Sequence, residues 1–258
     1  SAYIIEKYKN APKFKYHKNP IGGSFGGVYA ECLTVASSDF ILVTNDDDIL
    51  FPKGIVDSLG LLQTLPSVDI ASPIWLSQSS RIIRGSRFRN RCLGYKQVLR
   101  FTAHAPGIIF RKSAVQDKIP ILRKRLSESC TFSMMYPQVL LSALMIDDGA
   151  KIYSLSVEIG KDGHAFPTEI KSISTGVYFS LRSRVLQYSS LLEMKDQNIL
   201  SNKIQEVLCW NFLARIAFFQ NRNSLRSIIL FIIKRNLIES YRNKKFKIHQ
   251  LIKGKKSK

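Results

Sequence analysis

The stretch Phe40-Ile41-Leu42-Val43-Thr44-Asn45-Asp46-Asp47-Asp48-Ile49-Leu50-Phe51-Pro52 is the most informative part of the chain. It begins with a short apolar run, which predicts a buried strand when turn residues and a proline follow it. The aspartate triplet follows directly, and in open α/β sheets ligands bind at the carboxyl ends of the strands. Adjacent carboxylates repel one another unless a cation lies between them, so the triplet predicts a metal site. The alternative is a solvated acidic turn that caps the next helix.

The segment before this strand contains a turn and then a helix. Asn19-Pro20-Ile21-Gly22-Gly23 predicts the turn, and an amphipathic stretch through Tyr29, Leu33 and Ala36 predicts the helix. This succession resembles the nucleotide-sugar-binding half of family 2 glycosyltransferases of the GT-A fold. In that family an Asn-x-Gly turn leads into a helix, a strand, and an Asp-x-Asp-Asp metal motif followed by a proline. The resemblance is nearest to O-antigen transferases of the abequosyltransferase type, some of which also lack the first carboxylate.

The resemblance implies roles for residues by their position. Asn45 takes the place of the first carboxylate of the motif, Asp46 the variable place, and Asp47 and Asp48 the last two. His164 follows the last predicted strand of the catalytic domain, where the family has a basic residue or histidine that reaches the diphosphate or the metal. The implied ligands of a Mg²⁺ or Mn²⁺ ion are Asp47, Asp48 and His164, and the implied donor-binding residues are Asn19, Asp46 and Lys161.

The general base is harder to place from the sequence. Many family members begin a helix with Glu-Asp, whose aspartate is the base, whereas residues 136–138 of this chain are Tyr-Pro-Gln. The nearest acid upstream is Glu128, which is therefore the candidate base. Asp147 and Asp148 lie at the far end of the same predicted helix, where Asp-Asp-Gly predicts a C-terminal turn.

These motifs predict an α/β fold, and the resemblance implies a GT-A-type, Rossmann-like mixed sheet that is flanked by helices and lacks the first strands. The pattern predicts strands at 68–71, 108–110 and 151–157, and an irregular loop from Arg81 to Arg91. We expect residues 1–166 to form a partial GT-A catalytic domain and residues 167–258 a helical extension. The family's first strands, which hold much of the nucleotide, have no counterpart here. The chain is therefore expected to be an N-terminally truncated fragment with weak donor binding and little or no turnover; the alternative is a shortened natural variant.

The charge of the chain predicts a polyanionic partner. Lys and Arg number 39 against 19 Asp and Glu, a formal net charge of +20. Such an excess favours nucleic acid, anionic lipid or phosphorylated substrates. The tail from Arg222 to Lys258 interleaves basic and apolar residues, which fits attachment to an anionic membrane surface. A solvated tail is the alternative. The four cysteines lie far apart and indicate reduced thiols rather than a disulfide framework.

The resemblance implies a glycosyltransferase that would move a sugar from a nucleotide-diphosphate donor to a lipid-linked oligosaccharide acceptor in surface polysaccharide biosynthesis. It would be cytoplasmic and peripheral on the inner face of the cell membrane. One rival is a basic, non-enzymatic module that binds nucleic acid or membranes, although no known nucleic-acid motif is present. The other rival is an inactive glycosyltransferase remnant.

Overall fold

The computed structural model describes residues 6–7, 10, 25–45, 47–85, 90–97, 101–102, 104–128, 131–163, 187, 190–194 and 199–219. Its strands are β1 (Phe40–Val43), β2 (Ile49–Leu50), β3 (Ile70–Leu76), β4 (Ile82–Arg84), β5 (Arg91–Leu93), β6 (Ile108–Arg111) and β7 (Ile152–Lys161). Its helices are α1 (Phe25–Val35), α2 (Pro52–Thr64), α3 (Lys112–Val115), α4 (Ile119–Ser127), α5 (Thr131–Met135), α6 (Pro137–Asp147) and α7 (Asn202–Phe219).

The seven strands form one mixed sheet. Its main order is β1-β6-β3-β7-β2, with β4 added to β3 and β5 added to β7. The central pair, β3 and β7, is parallel, and the other pairs are antiparallel. A parallel pair is usually buried on both faces. In agreement, every residue of β3 is buried.

One face of the sheet carries most of the helices. Helices α1, α4, α5 and α6 pack on one another and enclose the larger core cluster, which includes Leu33, Phe110 and Phe132. Helix α6 is buried on nearly all sides, as expected for a helix that is apolar all round. Ile204 and Leu208 of α7 belong to the same cluster. The beginning of α7 therefore shares the core of the sheet domain.

The opposite face is covered by α2. Its residue Leu62 packs with Trp75, Ile109 and Ile159 in a second core cluster. The helix approaches β7 so closely that a Cβ at Gly54 would overlap the backbone carbonyl oxygen of the strand. The result is three layers, helix–sheet–helix, which confirms the predicted α/β architecture.

The predicted loop from Arg81 to Arg91 is wrong at both ends. Residues 82–84 form β4 on the edge of β3, and residues 91–93 form β5 beside β7. These strands were not predicted because the segment is rich in arginine. Arginine is almost never fully buried, so its presence indicates an exposed loop. Arg84 is an exception: it is 3 % exposed, and backbone carbonyls accept its hydrogen bonds.

Two strands are longer than predicted. The expected strand at 68–71 continues as β3 through Pro73, and its register with β7 shifts between Ser72 and Ile74, so the proline is accommodated by an irregularity. The expected strand at 151–157 continues as β7 to Lys161. Gly160, near the end of this strand, has no room for a side chain because a Cβ there would lie 2.7 Å from both neighbouring strands.

Candidate functional site

Three loops meet at one end of the sheet. The loop that follows β1 lies beside the turn 104–107, because Gly107 N donates a hydrogen bond to Val43 O at 2.8 Å. The end of β7 lies beside the end of β3, because Asp162 N donates to Leu76 O at 2.9 Å. This is the carboxyl end of β1, β3 and β7, where α/β sheets bind ligands. The aspartate motif is therefore in the place that the sequence predicts.

Asp48 closes the turn that follows β1. Its Oδ2 accepts hydrogen bonds from Asn45 N at 3.0 Å and from Thr44 Oγ1 at 3.4 Å. The following helix α2 has Phe51 at its N-cap and receives no side-chain capping bond. The alternative interpretation, an aspartate that caps this helix, is therefore wrong. Asn45, at the place of the first carboxylate, contributes its backbone N–H to the shape of the turn.

The site concentrates negative charge. Burial raises the pKa of Asp48, and the carboxylates of Asp47 and Asp162 raise it further, against the opposing effect of the Asn45 N–H and the Thr44 hydroxyl. Asp47 is exposed. The neighbouring carboxylates thus disfavour the ionised form of Asp48, and a cation beside Asp48 would relieve this repulsion.

Asp162 joins two sides of the site and was missed by the sequence interpretation. Its Oδ1 accepts a hydrogen bond from Trp75 Nε1 at 2.8 Å and lies 3.5 Å from His104 Nε2. The His104 ring also packs against the indole of Trp75, with centroids 5.7 Å apart. His104 was missed as well, because it lies in a small-residue turn far from the aspartates in sequence. The pairing of β3 with β7 brings Asp162 beside Trp75, and the pairing of β6 with β3 brings the turn that contains His104 to the same place.

The buried Arg84 side chain binds the turn that contains His104. Its Nη1 donates hydrogen bonds to the carbonyl oxygens of His104 and Pro106, both at 2.7 Å. Burial lowers the pKa of Arg84 to about 9, so the guanidinium remains charged at neutral pH. Among the described residues no carboxylate pairs with it. The carbonyl groups of the turn 104–107 therefore compensate a buried charge, which fixes the turn.

The remaining residues predicted from the sequence lie in different parts of the structure. Lys161 is the last residue of β7, paired with β2 and β3, and so lies at the same sheet end as the aspartates. Glu128 follows α4, where its carboxylate accepts from Arg125 Nη1 at 2.8 Å. Its role as a base stays a prediction. Outside the described residues lie Asn19, Asp46 and His164.

The donor atoms present suit a hard divalent cation. The carboxylates of Asp47 and Asp48 are the kind of oxygen ligand that Mg²⁺ and Mn²⁺ take. Within the described part of the chain, no group of three or more His, Cys, Asp and Glu side chains converges on one point. Mg²⁺ is usually bound by one or two carboxylates together with substrate phosphates, and a pair of aspartates is compatible with that kind of site.

Comparison with known proteins supports the fold. No family model matches the chain, and no curated protein matches it significantly in sequence. Among solved structures the chain is similar to residues 1–349 of TarS from S. aureus, a glycosyltransferase, with a TM-score of 0.55 and 16% identity. The match covers 85% of this chain and 59% of that one. The chain therefore has a glycosyltransferase-like fold and spans less than two thirds of that structure.

Proposed function

We propose that the protein is a glycosyltransferase that moves a sugar from a nucleotide-diphosphate donor to a saccharide acceptor. The observation that supports this function best is the contact of the Asp47–Asp48 turn with Gly163, just after β7, at the carboxyl end of the sheet. Fold similarity alone does not carry an activity, since one fold serves many functions. Here the fold and a carboxylate-rich site at its ligand-binding edge agree.

Asp47 and Asp48 would hold the cation, and Lys161 would contact the diphosphate from the neighbouring strand. When bound, a divalent cation supplies Lewis-acid stabilisation of the charge that develops on the leaving diphosphate. Asp47 is the exposed member of the pair and is available for direct ligation. Asp48 would both bind the cation and close the turn. Its Oδ2 already accepts a hydrogen bond from Asn45 N. We further propose His164 as a third metal ligand, and Asn19 and Asp46 as residues that bind the donor.

The acceptor class and location are also part of the proposal. A lipid-diphosphate-linked oligosaccharide would bring its own negative charge, which matches a chain of net charge +20. No helix within the described ranges is both long and apolar enough to cross a bilayer. We propose that the basic segment 222–258 attaches the protein to the inner face of the cell membrane during surface polysaccharide synthesis.

The experiment that tests this function measures nucleoside diphosphate released from UDP-, GDP-, CDP- and dTDP-sugars, with saccharide acceptors or water. We expect slow but measurable release from at least one donor, and this release should require Mg²⁺ or Mn²⁺ and stop with a chelator. Gln116→Ala, at the opposite end of the sheet beside α3, is the matched control and should release at the wild-type rate. Absence of metal-dependent release from every donor would contradict the proposal.

A further inference from the structure

Helix α7 is attached to the sheet domain by its first half. Ile204 and Leu208 belong to the larger core cluster, and Gln205 between them is buried. Ser201 N, just before the helix, donates a hydrogen bond to Asp147 Oδ2 at 2.6 Å. These contacts define an inner face of the helix, on which positions 204, 205 and 208 lie.

The opposite face of α7 carries an exposed tryptophan. Trp210 is 73% exposed, the largest value among the exposed large apolar side chains that the structure describes. With 3.6 residues per turn, position 210 lies on the side of the helix opposite positions 204, 205 and 208. Leu213 and Ala217 follow three and seven positions later in a helix that extends to Phe219, so they lie on the same side as Trp210. Positions 210, 213 and 217 form the outer face of α7.

The composition of α7 changes along its length. The first turns contain Lys203 and Glu206, whereas Arg215 is the only charged residue between positions 207 and 219. A helix that is apolar on all sides is normally buried on all sides. The second half of α7 therefore needs an apolar environment on the side that faces away from the core.

The basic segment 222–258, which follows this helix, indicates what that environment is. It contains twelve Lys and Arg residues and a single acid, Glu239. A basic segment next to an apolar helical face is the combination that binds the interface of an anionic bilayer. Tryptophan is enriched at this interface because its ring is apolar and its N–H donates a hydrogen bond.

We propose that the outer face of α7 is an apolar anchor of the protein in an anionic lipid bilayer, with Trp210 at the level of the headgroups. The inference rests on the proposed membrane attachment and deepens it. The basic segment 222–258 supplies the long-range attraction, and α7 supplies the apolar contact. Stable attachment takes two such signals, because one alone gives only marginal and reversible binding.

A second copy of the chain suits this face less well than a bilayer does. Each copy carries a formal net charge of +20, and the basic segment adjoins the outer face of α7. Two copies that met through this face would bring two such segments together and repel one another. An anionic bilayer is attracted by the same charge.

The two tryptophans of the chain allow a direct test by fluorescence. Trp75 is fully buried and Trp210 is exposed, so acrylamide, a neutral quencher, reports on Trp210. When phosphatidylcholine–phosphatidylglycerol vesicles are added to the full chain, we expect the emission to shift to shorter wavelength and acrylamide quenching to fall. Lipids brominated in their acyl chains should quench this emission. Trp210→Ala should abolish all three responses, because Trp75 stays buried.

Titration with the same vesicles measures the contribution of the anchor. Trp210→Ala should bind about tenfold more weakly than the wild type, and Trp210→Phe should have an intermediate affinity. Val56→Ala is the matched control and should bind like the wild type, because Val56 is 69% exposed on α2, away from the outer face of α7. Since Trp210 is mostly exposed, Trp210→Ala should keep the wild-type melting temperature without vesicles.

The outcomes separate this inference from the proposals on which it rests. If the protein binds vesicles while the Trp210 emission stays unchanged and brominated lipids do not quench it, the basic segment alone attaches the protein and the inference is overturned. Absence of vesicle binding overturns the inference together with the membrane attachment. Sugar transfer is tested separately, by nucleoside diphosphate release without vesicles.

Acrylamide quenching before vesicles are added tests whether the outer face of α7 is free. If Trp210 is not quenched, another protein surface covers this face and the inference is overturned. Sedimentation that shows a dimer in the wild type and a monomer in Trp210→Ala would identify that surface as a second copy of the chain.

Discussion

The backbone of Asp47 lies directly against Gly163. A Cβ built on Gly163 would overlap the carbonyl oxygen of Asp47, so no side chain fits between the two residues. The residue after Asp162 therefore has to be glycine for the aspartate turn to reach its observed place. This contact links the end of β7 to the loop after β1, and it sets where the two carboxylates stand.

Gly163→Ala should displace the Asp47–Asp48 turn and abolish metal-dependent nucleotide binding. The core beneath the turn does not depend on this contact, so circular dichroism and the melting temperature should change little. Gly60→Ala is the matched control, because nothing lies within 4 Å of a Cβ at that helical position. It should stabilise α2 by about 0.5–1 kcal/mol, the usual gain of alanine over glycine in a helix. Wild-type nucleotide binding in Gly163→Ala would contradict this account of the contact.

The sequence was sufficient to predict the sheet end that carries the aspartates. The apolar run at 40–43 and the aspartate triplet after it are local sequence patterns. What they predict does not depend on which distant strands pair. The helix that begins at Pro137 was also predictable, since proline favours the first turn of a helix.

The other half of the site was not predictable in this way. Asp162 and His104 lie far apart in the sequence and meet only because β7 pairs with β3 and the turn 104–107 lies beside β1. Arg84 belongs to a segment whose composition indicates an exposed loop, yet it is buried with carbonyl partners. These features depend on strand pairing over long sequence separations, which propensity and periodicity do not report.

Asp48→Asn should make the metal-free protein more stable at neutral pH. Burial raises the pKa of Asp48 above the unfolded value, so ionising this group costs the folded state stability. The cost is present above the folded-state pKa and vanishes as the pH falls below the unfolded value. Because solvent screens a partly exposed group, we expect a rise in melting temperature of roughly 1–3 °C at pH 7. The rise should disappear in melts near about pH 3, where the carboxyl is protonated in both states.

The same variant should lose its response to metal. Melts of the wild type with Mn²⁺ and nucleoside diphosphate should show a higher melting temperature than melts without them, whereas Asp48→Asn should show no difference. Lower stability of Asp48→Asn at pH 7 in the absence of metal would show that the hydrogen bond to Asn45 N matters more than the repulsion.

Arg84→Lys should destabilise the protein although it keeps the charge. One ammonium cannot reproduce the fork that reaches Pro73, His104 and Pro106, so buried carbonyl groups would lose their donors. We expect the free energy of unfolding, measured with urea, to fall by about 1–3 kcal/mol. Arg81→Lys, at an exposed position near β4, is the matched control and should be close to neutral. Equal stability of the two variants would show that the guanidinium fork does not hold the turn.

Deleting Arg242 to Lys258 should release the protein from anionic membranes. These residues lie outside the described part of the chain, so the prediction comes from their sequence. Each Lys or Arg near an anionic surface contributes about 1 kcal/mol to binding. In flotation with phosphatidylcholine–phosphatidylglycerol vesicles, the deletion variant should remain in the soluble fraction. Unchanged flotation would show that the segment does not attach the protein to the membrane.

The measurement that tests the central claim most directly is calorimetric titration of the wild type and Asp47→Ala with UDP, GDP, CDP and dTDP. Each titration is carried out once with Mn²⁺ and once with a chelator. The account predicts that at least one nucleoside diphosphate binds the wild type only when Mn²⁺ is present. It also predicts that Asp47→Ala, whose fold is checked by circular dichroism, binds that nucleotide at least about tenfold more weakly, a loss of about 1.4 kcal/mol. Metal-independent binding, or equal metal-dependent binding by Asp47→Ala, would contradict it.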